Sequence, residues 1–108
     1  MTGNAPTDDS VLRSYRASLY GIFGERIDRV VLFGSRARGE AGEESDYDVA
    51  VFLKSLPDRW EVFDRLAGLR VQFLTDTGAF FDTKPYAASA YAERTPLMRE
   101  IRREGVDL

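Results

Sequence analysis

A chain of 108 residues has room for one domain, and 15 Lys and Arg set against 18 Asp and Glu leave a formal net charge of −3. Cysteine and histidine are both absent, which excludes disulfides, thiolate metal sites, Ser-His-Asp triads and ordinary zinc centres. Chemistry in this chain must run on carboxylates, hydroxyls, Lys and Arg. With 44% hydrophobic and 12% aromatic residues, the composition is that of a globular protein rather than a disordered one. The mild acidity argues against a nucleic-acid-binding surface. The segment Met1–Pro6 lacks the charged head and apolar run of a signal peptide, and no stretch approaches the roughly 20 apolar residues of a membrane span. The expectation is a soluble cytoplasmic protein without a membrane partner.

In chain order, residues 1–7 are small and polar and are expected to be a flexible N-terminus, followed by a single domain over 8–108. Asp8, Asp9 or Ser10 can cap a helix whose apolar positions Val11, Leu12, Tyr15, Leu19, Ile22 and Phe23 follow helical spacing. Gly24 is its natural stop. Arg29–Phe33 is a β-branched apolar run that ends at Gly34-Ser35, as a buried strand entering a turn would. Residues 36–45 read as a loop with at most one helical turn. Tyr47–Leu53 reads as a second strand with Val49, Val51 and Leu53 on one face. Pro57 suits a helix start, and Trp60, Phe63, Leu66, Ala67, Leu69 and Phe73-Leu74 supply the apolar face of that helix. Gly68 and Val71 weaken its far half. Thr75–Gly78 reads as a turn, and Ala79–Lys84 as a third strand stopped by Pro85. Thr95 then caps a last helix with Pro96 at its first position, Leu97, Met98 and Ile101 on its apolar face, and a Schellman stop at Gly105. The order is helix, strand, strand, helix, strand, helix: an α/β (α+β) fold with one small sheet packed against helices.

Asp46 and Asp48 stand two apart at a strand, so both point to one side, with Cα atoms about 6.5 to 7 Å apart. Two carboxylates on one face repel, and a divalent cation resolves the conflict; Mg²⁺ takes oxygen ligands and keeps positions for water or phosphate. The plainer reading is a solvated strand mouth. Gly34 closes an apolar strand with no Cβ to obstruct a phosphate, and Ser35 adds a hydroxyl and an N–H there. Arg36 and Arg38 flank the turn and can neutralise phosphate oxygens. Taken alone, this too reads as a tight turn with solvated arginines.

Together, Gly34-Ser-Arg-Ala-Arg-Gly-Glu-Ala-Gly-Glu-Glu-Ser-Asp-Tyr-Asp48 resembles the signature of the DNA polymerase β-like nucleotidyltransferases, in which Gly-Ser precedes Asp-x-Asp by about ten residues. Phe33–Gly39, Ser45–Val51 and Thr95–Gly105 look like its minimal nucleotidyltransferase (MNT) subgroup, and the likeness covers most of residues 27–108. It implies a nucleotidyltransferase-like fold and a nucleotide site at Gly34, Ser35, Arg36 and Arg38. It also implies two Mg²⁺ ions held by catalytic carboxylates, Asp46 and Asp48 with a third on a later strand. Asp82 is the candidate for that third, with Asp76 the fallback, and it would help activate the attacking hydroxyl. ATP is the expected substrate. Because the minimal group commonly pairs with a helical HEPN-type toxin, the resemblance implies an antitoxin that transfers AMP to that toxin. A homo-oligomer stays open as another source of the acceptor surface. Two other readings stand beside this one: an antitoxin acting by contact alone, and a transferase for a small hydroxylated molecule. A classical P-loop is excluded, because no Gly-Lys-Ser/Thr follows a glycine-rich loop.

Overall fold

A computed structural model describes residues 9–40, 46–56 and 58–108; the expectations for residues 1–7, the Asp8 cap and Pro57 at a helix start lie outside them. Helix α1 covers Ser10–Phe23, and of the three candidate caps it is Asp9 whose side chain accepts from the Val11 and Leu12 N–H groups. Leu12, Tyr15, Leu19 and Phe23 are its buried positions. Gly24 turns the chain with φ 51° into a 3₁₀ turn over Gly24–Arg26. Strand β1 then covers Ile27–Phe33, β2 Tyr47–Leu53 and β3 Phe81–Ala87, with helix α2 (Arg59–Thr77) between β2 and β3. Helix α3 covers Pro96–Glu104, and a two-residue strand β4, Val106–Asp107, ends the chain's regular structure.

The four strands form one mixed sheet in the order β3-β2-β1-β4. β1 runs antiparallel to both β2 and β4, and β2 runs parallel to β3. The parallel pair is joined through α2, the kind of crossover that parallel strands require. Alternation along each strand splits the interior into two cores. Val49, Val51 and Leu53 join Val30 and Leu32 in packing with the buried residues of α1 and α2, whereas Ala50 and Phe52 join Val31 in packing with Met98 and Ile101 of α3.

Several local expectations change in the folded chain. β1 begins at Ile27, two residues before the β-branched run, because its pairing partner Leu53 extends that far. α2 runs unbroken through Gly68 and Val71 to Thr77 and ends on Gly78 at φ 78°, since burial of Leu69 and Phe73 outweighs weak helix propensity. Its apolar face is narrower than predicted: Val62, Leu66, Leu69 and Phe73 are buried, while Trp60 is 80% exposed and Phe63 is 41% exposed. β3 continues through Pro85 to Ala87; as an edge strand it tolerates a missing N–H. Ala88–Ala92 forms a 3₁₀ turn that the sequence did not suggest. Gly105 does end α3, but with φ −70° rather than a left-handed Schellman geometry. Glycine is needed there for space, because a Cβ would collide with the Ile101 carbonyl and the Val31 side chain.

Candidate functional site

The site forms where β1 ends and β2 begins. Gly34 leaves β1 with φ 76°, and its carbonyl accepts from the N–H groups of Ala37 (3.1 Å) and Arg38 (3.2 Å). Gly39 N–H reaches the Arg36 carbonyl at 3.3 Å, and Glu40 N–H reaches the Ser35 carbonyl at 3.0 Å. Residues 35–39 are therefore hydrogen-bonded turns and not a helix; residues 41–45 lie outside the described chain. Gly34 is required twice over. Its φ is in the region that L side chains avoid, and a Cβ would collide with the Asp48 carboxylate.

Asp48 is the Cα partner of Phe33 on one side and of Asp82 on the other. In-register neighbours project to the same face of a sheet, so Asp48 and Asp82 form a carboxylate pair on the α3 side. Asp46 is exposed immediately before β2. Asp76 is instead on α2, one residue from its end, so Asp82 is the later carboxylate that the sheet brings beside Asp48. Burial, then the charges of Asp82 and Asp46, push the Asp48 carboxyl above its ordinary value, and Lys84 pulls it back in part. Lys84, unmarked by the motif, lies two residues beyond Asp82 and pairs with Ala50, which places its cation on the same face.

This is the electrostatic conflict that a divalent cation relieves. Among the described residues, no group of three or more His, Cys, Asp or Glu side chains is placed to hold a metal ion. An open pair with a third carboxylate at the rim suits Mg²⁺, which keeps several positions for water and substrate phosphates.

The two arginines of the turn go opposite ways. Arg38 pairs with Glu40 (3.3 Å) and, across to α3, with Glu104 (3.5 Å). The Arg36 guanidinium lies 3.9 Å from the centroid of the Tyr47 ring and 3.9 Å from Asp9 Oδ2. Tyr47, the residue between the two motif aspartates, is buried on the α1–α2 side, and its hydroxyl donates to Asp9. Sequence reasoning took Asp9 only as a candidate cap. The two residues lie 38 apart, and no periodicity links them. A signal that could have been used is that strand alternation must send Tyr47 away from the aspartates.

Behind Asp82, Phe81 stacks on Tyr15 (centroids 3.7 Å apart) and on Tyr47 (4.4 Å). This stack fixes the start of β3, and with it Asp82, against α1 and β2. Along the outer edge of β3 runs a groove of about 360 Å³, walled by Trp60, Phe63 and Arg70 of α2 and reaching Asp82 and Lys84. Among the described residues, no helix is long and apolar enough to cross a membrane.

Comparison with known proteins places this geometry. The model of the family "Polymerase beta, Nucleotidyltransferase" matches residues 21–106. Protein adenylyltransferase MntA of Thermococcus cleftensis is 35% identical over 72 residues, which are 61% of this chain and 71% of that protein. "Putative protein adenylyltransferase MJ0141" of Methanocaldococcus jannaschii is 40% identical over 47 residues, 44% of this chain, and the match spans about half (48%) of that relative's length. Among solved structures, a toxin–antitoxin with AMP-PNP superposes with a TM-score of 0.59 at 21% identity, covering 87% of this chain and 69% of that one; at that identity the likeness speaks for the fold. The family match over most of the chain, together with a Gly-Ser turn set against paired strand aspartates, makes this chain a member of the polymerase β nucleotidyltransferase family.

Proposed function

We propose that this chain is a Mg²⁺-dependent nucleotidyltransferase that moves AMP from ATP to a hydroxyl of a partner protein, acting in the cytoplasm as the antitoxin to a helical HEPN-type toxin. The observation that carries the reading is the register pair Asp48↔Asp82 beside the Gly34 turn. It sets two carboxylates beside a glycine turn in which the missing Cβ lets the Asp48 carboxylate lie against the backbone. The relative named MntA, a protein adenylyltransferase, supports the transferred group, and the toxin–antitoxin neighbour with AMP-PNP supports the setting.

In this reading Gly34 and Ser35 receive the triphosphate with Arg36 and Arg38 on the flanks of their turn, and Asp46, Asp48 and Asp82 hold two Mg²⁺ ions. Bound Mg²⁺ neutralises the triphosphate and polarises the reacting oxygens. The acceptor hydroxyl oxygen bonds to the α-phosphorus, and the bond from that phosphorus to the pyrophosphate oxygen breaks. The hydroxyl proton passes to a carboxylate, a role we assign to Asp82, which lines the groove along β3 with Trp60 and Phe63. Positioning and charge stabilisation supply most of such a rate enhancement.

The test is incubation with labelled ATP and Mg²⁺, with and without the protein encoded by the neighbouring gene, followed by intact mass. Gain of one or more AMP units on the neighbour, lost in Asp46→Asn, is the expected result. A tight complex without transfer would leave contact alone as the mode of neutralisation and overturn the enzymatic reading.

A further inference from the structure

We propose that Asp9 and Tyr47 are positioning residues for the Gly34–Gly39 turn, acting through Arg36 as a latch on the face of the sheet opposite the carboxylates. The inference rests on the reading of that turn as a nucleotide site. It concerns how the turn is held.

The turn needs holding from outside. Backbone bonds from Ala37, Arg38, Gly39 and Glu40 all end within it, and its two left-handed glycines, Gly34 and Gly39, lower the cost of other conformations. Its side-chain anchors include the two arginines, beside Ala37, which packs against the α1–α2 core. The Arg38 side chain is 33% exposed and pairs with Glu40, 64% exposed, and with Glu104, 26% exposed; ion pairs of an exposed arginine contribute little. The anchor through Arg36 is better enclosed: the Arg36 side chain is 18% exposed and that of Asp9 30%.

Asp9 is itself fixed. Its Oδ1 accepts from the Val11 N–H (2.8 Å) and the Leu12 N–H (3.2 Å) at the start of α1. That leaves Oδ2 to accept from the Tyr47 hydroxyl and to face Arg36 Nη1. The Tyr47 ring is in turn clamped between the Arg36 guanidinium and the Phe81 stack. The residue between the metal-site aspartates is thus the same residue on which the turn's arginine rests. That side chain adds a second tie between the phosphate turn and the carboxylate strand, beside the pairing of Phe33 with Asp48. A phenylalanine at position 47 would pack the core equally well; the hydroxyl serves the contact to Asp9.

Two conservative variants separate the latch from the fold. Asp9→Ser keeps a good helix N-cap while removing the charge that faces Arg36 and the acceptor for Tyr47. Tyr47→Phe keeps both ring contacts and removes only the hydroxyl. Direct calorimetric binding of ATP in the presence of Mg²⁺ is expected to weaken about tenfold in each, the loss typical of one hydrogen bond to a charged group. The double variant should lose little more than either single, because both break one chain of contacts. Amide exchange over residues 34–39 should quicken in both variants. A merely structural role would lower the melting temperature and leave ATP affinity and turn exchange of the folded variants unchanged; that result overturns the proposal. If the wild-type protein binds no ATP, the nucleotide reading fails on its own, and the exchange rates of the turn still decide whether the latch exists.

Discussion

The two faces of the one sheet are built from the same strands and have opposite characters. On the α1–α2 side, β2 contributes Tyr47, Val49, Val51 and Leu53, all closed over by aromatic and aliphatic side chains. On the α3 side the same strand contributes Asp48, Ala50 and Phe52. Only its far part is covered, by Met98 and Ile101 of a nine-residue helix. The short helix leaves the start of β2 and β3 open, and there the chain places Asp48 and Asp82. Burial on one face carries the cost of holding like charges together on the other, a division often found where function needs locally unfavourable electrostatics.

The comparison breaks most visibly if the closed face is opened. Phe81 is fully buried and stacks with both Tyr15 and Tyr47, so Phe81→Ala is expected to cost about 3 to 5 kcal/mol, read as a drop in the denaturant midpoint at unchanged slope. A loss below about 1 kcal/mol would show that the aromatic stack is not what holds β3.

Alkaline titration tests the same face more gently. Burial pushes the Tyr15 hydroxyl up to about 12, with a partial offset from its hydrogen bond to Thr83, and burial with the Asp9 contact does the same for Tyr47. A group whose folded pKa is raised stabilises the fold fully below its unfolded value and loses that contribution as pH climbs through the folded value. Stability is therefore expected to fall between pH values of about 10 and 12, by up to about 2 to 3 kcal/mol from Tyr15 alone. Denaturation midpoints taken across that window check it, and a flat profile would contradict the burial of the two hydroxyls.

The smallest effect has the opposite sign and belongs to the open face. Asp48 has its pKa raised by burial and by Asp82 and Asp46, so its ionisation at neutral pH opposes folding. Asp48→Asn should abolish transfer while raising stability by a fraction of a kcal/mol, up to about 1 after allowance for solvent screening. Thermal melts without Mg²⁺ measure this, and a clear loss of stability would mean that the carboxylate supports the fold rather than straining it.

Much of this was legible in the chain. The Asp9, Thr95 and Pro96 signals marked helix starts, and alternation marked β2 from end to end, because caps and strand faces are local consequences of residue type. The spacing from Gly34-Ser35 to Asp46 and Asp48 pointed to the family because a turn and a following strand keep their relation over a few residues. Pro85 and Trp60 depart from expectation for one reason: an edge strand accepts proline, and Trp60 lies on a side of α2 turned away from the core, and neither circumstance is visible locally.

What the sequence by itself determined is therefore the order of the three helices and the first three strands, without β4 or the 3₁₀ turns, together with the two-faced pattern of β2 and the motif that names the family. What only the tertiary structure decided is which later carboxylate stands beside Asp48 and what Arg36 rests against. Both depend on contacts between residues far apart in the chain, the β2–β3 register and the Asp9–Tyr47 bond. Such contacts are fixed by how helices and strands pack, and no local pattern of residues encodes them.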